Sequence, residues 1–135
     1  MSATQIWERL WVGNIFDAKA LAESNPQHIT TIITLSPEAV PEELSGVNHL
    51  YLPVLGNHAV PVGMFDEIID ALWENIRWGN AFVHSFDGVN RAPIMAAAWM
   101  HCCGYKNIDA ALEEIGKLRT IEPNRILLSS IKELL

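Results

Sequence analysis

Cysteine, long hydrophobic runs and positive charge are all scarce in this sequence. The only cysteines, Cys102 and Cys103, are adjacent. Because neighbouring cysteines rarely pair with each other, we expect no disulfide framework and a reducing, cytoplasmic setting. No apolar stretch reaches the roughly 20 residues that a membrane-spanning helix needs. Residues 1–7 lack a basic region followed by an apolar block, so we predict no secretory signal.

The scarcity of positive charge restricts the possible partners. The chain has 9 Lys and Arg residues against 16 Asp and Glu residues, a formal net charge of -7. This balance argues against nucleic acid and anionic membranes as partners, and an anionic ligand must be held by local donors. Because His28, His49 and His101 have no second ligand at metal-binding spacing, we predict no metal site.

Hydrophobic residues are plentiful and make up 50% of the 135 residues. This content and length suit one folded domain, 1–135, with a substantial core. Runs of β-branched residues predict strands, and apolar residues at helical spacing predict amphipathic helices. The predicted strands are 10–12, 29–35, 50–54 and 81–83, and the predicted helices are 17–23, 64–78, 94–103, 107–118 and 124–135.

Strands and helices alternate in the first part of the chain, and helices dominate the last part. This order favours an α/β fold with a small, mostly parallel central sheet flanked by helices. The helix 94–103 is so apolar that we expect it to be central and buried. We expect Phe16, just before the first predicted helix, and Ile126, in the last predicted helix, to face the core.

The most informative segment follows the predicted strand 81–83. It has the sequence His-Ser-Phe-Asp-Gly-Val-Asn-Arg-Ala-Pro over residues 84–93. A strand, a tight turn at Gly88 and a helix start direct several backbone N–H groups at one point, with the helix dipole behind them. Arg91 adds a fork of donors that suits a phosphate group. We therefore predict an anion-binding loop in which Gly88 has a positive φ or closely approaches the anion.

The spacing His84-x6-Arg91, with Gly88 between them, resembles the phosphate-binding loop of the cysteine-dependent tyrosine and dual-specificity phosphatases. The resemblance covers nearly the whole chain, in the family's order, and looks like a stand-alone, atypical dual-specificity member. It implies an α/β fold with the phosphate loop between a strand and a central helix. Its flanking segments are Leu10–Asn14, Ala18, Ala20–Leu21, Ile29–Leu35, Tyr51–Val54 and Arg119–Leu128.

The resemblance also implies the family's chemistry, in which a cysteine thiolate attacks the phosphorus and water then hydrolyses the phosphocysteine. The expected partners are a phosphorylated protein or a small phosphomonoester, and a phosphate or sulfate ion in the loop. No cofactor is implied, since the loop itself supplies the positive field. His84 would orient the loop from beneath. The phosphate-binding residues would be Phe86, Asp87, Gly88, Val89, Asn90 and Arg91.

The chain departs from the family's pattern at three places. Ser85 stands at the nucleophile position, and its hydroxyl does not ionise near neutral pH without an adjacent base. His84 is a poor base for it because neighbouring strand residues point to opposite faces. Ala92 replaces the hydroxyl residue that usually follows the arginine. The acidic residue of the family falls within 56–58, which holds no carboxylate, so His58, with an unperturbed pKa of ~6.5, is the candidate general acid or else a surface histidine.

Two loop side chains have further expected roles. Asp87 should face solvent, because a carboxylate aimed at a bound phosphate would repel it. Asn90 either satisfies loop carbonyls or touches the phosphate. The loop has no basic residue between 86 and 90, which argues against phosphoinositides as substrates.

Two interpretations of Ser85 remain open. In the first, a genuine phosphatase has had its nucleophile replaced by serine in the laboratory. In the second, the chain is a natural pseudophosphatase that binds phosphorylated partners without hydrolysis, as the missing carboxylate at 56–58 favours. Both predict that this chain is inactive or nearly so. A serine hydrolase is disfavoured because G-x-S-x-G is absent, and a dinucleotide-binding protein because no G-x-G-x-x-G follows a strand.

Overall fold

A computed structural model describes residues 3–135, which form five strands and five helices. The strands are β1 (Thr4–Trp7), β2 (Leu10–Gly13), β3 (Ile29–Thr34), β4 (Asn48–Tyr51) and β5 (Asn80–His84). The helices are α1 (Ile15–Ala20), α2 (Val62–Trp78), α3 (Arg91–Cys102), α4 (Ile108–Leu118) and α5 (Arg125–Lys132). Within residues 3–135, every helix is too short or too polar to span a bilayer.

The five strands form one sheet in the order β1-β2-β5-β3-β4. β1 runs antiparallel to β2, and the other neighbouring pairs are parallel. The predicted α/β fold with a mostly parallel sheet is therefore confirmed. Because β5 lies between β2 and β3, the loop that follows it emerges at the middle of the sheet's carboxyl edge, where α/β folds bind their ligands.

Both faces of the sheet are covered, as expected for parallel strands. In β2, Leu10 and Val12 join the larger core, whereas Trp11 joins the smaller core on the other face. This alternation is the period of two that a pleated strand imposes. α3 lies in the larger core, and its residues 91–100 are all buried, which confirms the prediction of a central helix.

Several element boundaries differ from the predictions. The hairpin strand β1 was not predicted, because its four residues carry too little pattern until β2 pairs with them. β4 ends at Tyr51 rather than at residue 54, since Pro53 has no N–H to donate to the ladder. The predicted inward positions of Phe16 and Ile126 are wrong, because these side chains are 70% and 59% exposed. The inward positions of Leu127 and Ile131, predicted for the same helix, are confirmed, and Leu127 lies about 100° further round the helix than Ile126.

Candidate active site

The β5–α3 loop, residues 85–90, is held at its start by the ends of two neighbouring strands. The N–H of Ser85 donates to the carbonyl of Gly13 at 3.4 Å. The N–H of Phe86 donates to the Oγ of Ser36, which follows β3, at 2.6 Å. The parallel arrangement of β2, β5 and β3 brings these strand ends together, so the sheet itself positions the loop.

Gly88 occupies a position that other residues cannot take without strain. Its φ is +70°, in the left-handed region, where a side chain costs free energy. A Cβ there would also lie 2.7 Å from the carbonyl oxygen of Gly13. The predicted positive φ of Gly88 is confirmed. Gly88 also lies close to the backbone carbonyl of Gly13 at the end of β2.

Four amide groups of the loop region point away from protein acceptors. Within residues 3–135, the N–H groups of Asp87, Gly88, Asn90 and Arg91 form no hydrogen bond. The other two N–H groups predicted to bind phosphate already have acceptors, Ser36 for Phe86 and the Oδ1 of Asp87 for Val89. The loop therefore offers a set of free donors at the N-terminus of α3, the arrangement that binds anions.

The side chain of Ser85, at the start of this loop, is fully buried. Its Oγ accepts a hydrogen bond from the N–H of Ala92, in the first turn of α3, at 3.4 Å. An anionic sulfur at this atom would face the same N–H and the positive end of the helix dipole. The position therefore suits a thiolate, whereas the hydroxyl stays neutral.

The ring of His84 contacts β3 and lies beside the backbone of Ser85. Its Nε2 lies 2.8 Å from the Oγ1 of Thr34, and its ring stacks on Phe82 with the centroids 5.7 Å apart. Burial lowers the pKa of His84 to about 4, so the ring is neutral at pH 7. The orienting role beneath the loop that the family resemblance implies for His84 stays a prediction.

Arg91 is anchored through one end of its guanidinium group. Its Nη2 lies 2.9 Å from one carboxylate oxygen of Glu38, and its Nη1 lies 3.4 Å from the other. Nη1 also donates to the carbonyl of Val54 at 2.9 Å. Burial alone would raise the pKa of Glu38, but hydrogen bonds from Arg91 and Ser36 and the charge of Arg91 outweigh it, so that pKa is lowered.

The anchored guanidinium leaves one edge free. An arginine has five N–H donors in a rigid fork. Three of them face Glu38 and Val54, which leaves the Nε–H and one Nη2–H on the same edge of Arg91. Two parallel donors of this kind bind two oxygens of a phosphate. Arg91 is therefore oriented for a second, tetrahedral anion in addition to Glu38.

A cavity of about 350 Å³ lies over the loop. Asn90 closes one side of it, because its Nδ2 donates to the carbonyl of Gly56 at 2.8 Å and its Oδ1 accepts from the N–H of Asn124 at 2.7 Å. Asn90 thus satisfies backbone groups of two neighbouring segments, and a contact of Asn90 with phosphate stays a prediction. The cavity is lined by Glu38, Leu55, Gly56, Asn57, Asp87, Asn90, Arg91 and Asn124.

His58, the candidate general acid, lies outside this lining. It is exposed, and its Nδ1 lies 2.7 Å from the Oδ1 of Asn57. An acid role for His58 stays a prediction and requires the segment 56–58 to move toward the cavity. Within the described part of the chain, no group of three or more His, Cys, Asp or Glu side chains is arranged to hold a metal ion.

A buried cation supports the loop from behind. Arg119, just after α4, donates to the carbonyl of Val12 at 2.8 Å and to the Oγ1 of Thr4 at 3.2 Å. Its Nη2 lies 3.9 Å from the carboxylate of Asp17. Burial lowers the pKa of Arg119, and the charge of Asp17 opposes that effect. The same Nη2 would lie 3.0 Å from a Cβ at Gly88, so Arg119 packs directly against the loop.

Sequence reasoning missed Glu38 as a site residue. The signal that could have found it is the segment Ser36-Pro37-Glu38, which directly follows β3. Because β3 and β5 are parallel neighbours, the residues that follow them share one edge of the sheet. A polar segment at that edge is a candidate for contact with the β5–α3 loop.

Comparisons with known proteins agree with this geometry. Human dual specificity protein phosphatase 15 is 31% identical over 93 residues, which cover 67% of this chain and 31% of that protein. The chain thus spans about a third of that relative's length. No family model matches the sequence.

Solved structures extend the likeness to nearly the whole chain. The crystal structure of DUSP15 has a TM-score of 0.85 and 28% identity, covering 98% of this chain and 86% of that one. A mouse putative dual specificity phosphatase complexed with zinc tungstate has a TM-score of 0.85 and 20% identity, covering 97% and 84%. The chain therefore has the fold of the dual-specificity phosphatases, and its similarity to one of them in sequence supports its place in that family.

Proposed function

We propose that this chain is a phosphomonoester phosphatase domain of the dual-specificity type that acts through a phosphocysteine intermediate when cysteine stands at position 85. With Ser85 it binds phosphomonoesters and turns them over very slowly. The observation that carries this proposal is the set of four free N–H groups and the free edge of Arg91 above Ser85. One structural neighbour, a mouse putative dual specificity phosphatase, is complexed with zinc tungstate, and tungstate is a tetrahedral oxyanion.

The proposed chemistry assigns one task to each group. In a chain with cysteine at 85, the thiolate attacks phosphorus, the phosphorus–oxygen ester bond breaks, and the leaving oxygen takes a proton. Water then breaks the sulfur–phosphorus bond and releases phosphate. The loop N–H groups and Arg91 stabilise the equatorial oxygens in both steps, as charge spreads in the transition state. The substrates are a phosphotyrosine or phosphoserine/threonine protein, or a smaller phosphomonoester.

Binding is tested with the chain as it stands. Inorganic phosphate or tungstate is titrated into the Ser85 protein and into its Arg91→Lys variant, with heat of binding as the readout. Loss of the bidentate edge should weaken binding by about tenfold or more, since charge-assisted hydrogen bonds contribute about 1.5–3 kcal/mol each. Arg77→Lys on α2 is the matched control. Equal affinity in all three proteins would overturn the proposed site.

Catalysis is tested with Ser85→Cys on an aryl phosphate. We expect phosphate release from the cysteine protein, none above background from the Ser85 protein, and loss of the activity on adding Arg91→Lys. Turnover by the Ser85 protein that disappears in Ser85→Ala would contradict the proposal, because it would make the serine itself the nucleophile.

The second candidate is a phosphate-binding module without hydrolysis. Residues 56–58 hold no carboxylate, and Arg91 keeps the pKa of Glu38 below its ordinary value, which makes Glu38 a poor proton donor. Under this alternative, Ser85→Cys is inert even at acidic pH while binding of a phosphorylated peptide persists. Activity of the cysteine protein eliminates it.

A further inference from the structure

Two carboxylates and one guanidinium are the charged groups that line the cavity over the β5–α3 loop. Among the described residues, Arg91 is the only cation of this lining, and Glu38 and Asp87 supply the carboxylates. The Glu38 side chain is 51% exposed even though it pairs with Arg91 at 2.9 Å. The charged groups in the lining therefore sum to a negative charge before any anion enters.

Asp87 is fixed at this rim rather than free to turn away. Its Oδ1 accepts a hydrogen bond from the N–H of Val89 at 3.1 Å, while the side chain stays exposed. Glu122 is exposed as well, and its N–H donates to the carbonyl of Val89 at 2.7 Å, which places its backbone beside the loop. The negative charge is thus built into the loop and its neighbouring segment.

Two other arginines lie near the loop, but neither lines this cavity. Arg119 packs behind Gly88 and lies 3.9 Å from the carboxylate of Asp17. Arg125 follows Asn124, which lines the cavity, but the side chain of Arg125 lines a different cavity with Ala59, Ile126 and Ser129. When a phosphate dianion binds the free edge of Arg91, it shares that one cation with Glu38. The two carboxylates repel any further negative charge on the ligand, and they attract positive charge on it.

We infer that the site selects phosphomonoesters that carry a cationic group beside the phosphate, and that Glu38 and Asp87 determine this selectivity. The inference rests on the proposed function, since it assumes that phosphate binds at Arg91. It names a substrate class, a phosphate flanked by lysine, arginine or another amine. Glu38 has a further positioning role, because its carboxylate holds the guanidinium with the other edge free.

The test compares two phosphotyrosine peptides of equal length on the Ser85 protein, one flanked by lysines and one by glutamates. Fluorescence anisotropy gives both dissociation constants at low salt. Exposed ion pairs contribute about 0.2–1 kcal/mol each, so two carboxylates predict roughly tenfold tighter binding of the lysine peptide. A second experiment compares O-phosphoethanolamine, which carries an amine, with phosphoglycolate, which carries a carboxylate, by competition. It shows whether the charge preference extends to small phosphomonoesters or applies to peptides alone.

Charge-matched variants assign the effect to residues. Glu38→Gln with Asp87→Asn should reduce the preference to about twofold or less, and Asn at 87 keeps the oxygen that accepts from Val89. Glu42→Gln with Glu43→Gln makes the same charge change at exposed positions outside the cavity, and should keep the preference. Thermal unfolding checks that both variants are folded.

The outcomes separate the two proposals. Equal binding of both peptides, or a preference that persists in the Glu38 and Asp87 variant, overturns the selectivity and leaves phosphate binding intact. If neither peptide nor inorganic phosphate binds, the proposed function fails and the selectivity fails with it.

Discussion

Arg91 and Ser85 have separate roles in this loop, one in binding an anion and the other at the nucleophile position. Arg91 keeps its charge and a free pair of donors, so the requirements for binding an anion are present. Ser85 has an oxygen where a thiolate would be stabilised by the N–H of Ala92. A hydroxyl is far more basic than a thiol, so the same loop cannot ionise it near neutral pH. Under the proposed function, one atom therefore separates binding from turnover.

His84 should make the protein sensitive to acid. Its pKa is lowered from 6.5 to about 4 by burial, so between these values the unfolded chain binds a proton that the folded chain excludes. Stability is complete above about pH 6.5 and falls as the pH drops toward 4. We expect a loss of about 3 kcal/mol over this window, measured by urea unfolding at several pH values.

The histidine variants test this assignment. His84→Gln should be less stable at neutral pH but lose less on acidification, because it has no buried group to protonate. His28→Gln, in a loop that is far from β5 in sequence, should keep the full loss of the unmodified chain. The same acid loss in His84→Gln and the unmodified chain would contradict the role of His84.

At the scale of elements, four segments converge behind the loop. β1 contributes Thr4, β2 contributes Val12, α1 contributes Asp17, and the end of α4 contributes Arg119, which joins them through hydrogen bonds and charge. Asp17 also accepts a hydrogen bond from the N–H of Asn14 and so caps α1. The position of Gly88 thus depends on packing between elements that are distant in the chain.

Removing Arg119 should destabilise the fold and loosen the loop. Breaking one partner of a buried ion pair costs about 3–5 kcal/mol, because it leaves the other charge unpaired. We expect Arg119→Met to lose about 3 kcal/mol by urea unfolding and to bind phosphate less tightly. Adding Asp17→Asn should recover part of the loss, since it removes the unpaired charge.

Lys117→Met on α4 is the control for the Arg119 and Asp17 variants, because exposed substitutions usually change stability by about 0.5 kcal/mol or less. If the losses of Arg119→Met and Asp17→Asn simply add in the double variant, the two side chains do not interact. In that case the loop is supported by the hydrogen bonds of Arg119 to Thr4 and Val12 alone.

For the whole molecule, the formal net charge of -7 opposes the approach of any dianion. Salt screens such repulsion, with a Debye length of about 30 Å at 0.01 M and about 8 Å at 0.15 M. We therefore expect the association rate of a phosphate ester to rise about twofold or more between these ionic strengths. Stopped-flow fluorescence measures this association rate. A control with an uncharged solute that changes the viscosity accounts for diffusion. A rate that falls with salt would show that the local field of Arg91 dominates.

Much of the fold could be predicted from the sequence because its signals are local. The β-branched run in 29–35, the helical spacing in 64–78 and the apolar run after Pro93 each specify an element within one short window. The boundaries were less predictable. β1 becomes a strand only by pairing with β2, and α1 turns Phe16 outward although its composition suits a buried side.

The sequence by itself determined the strand, the turn and the helix that form the anion loop, with Gly88 at its positive φ and Arg91 just before the predicted helix. These features depend on residues within one turn of each other. Only the tertiary structure decided which end of Arg91 is held by Glu38, that Asn90 binds Gly56, and that Arg119 supports β2. Those contacts join residues 53, 34 and 107 positions apart, and no local pattern carries information over such separations.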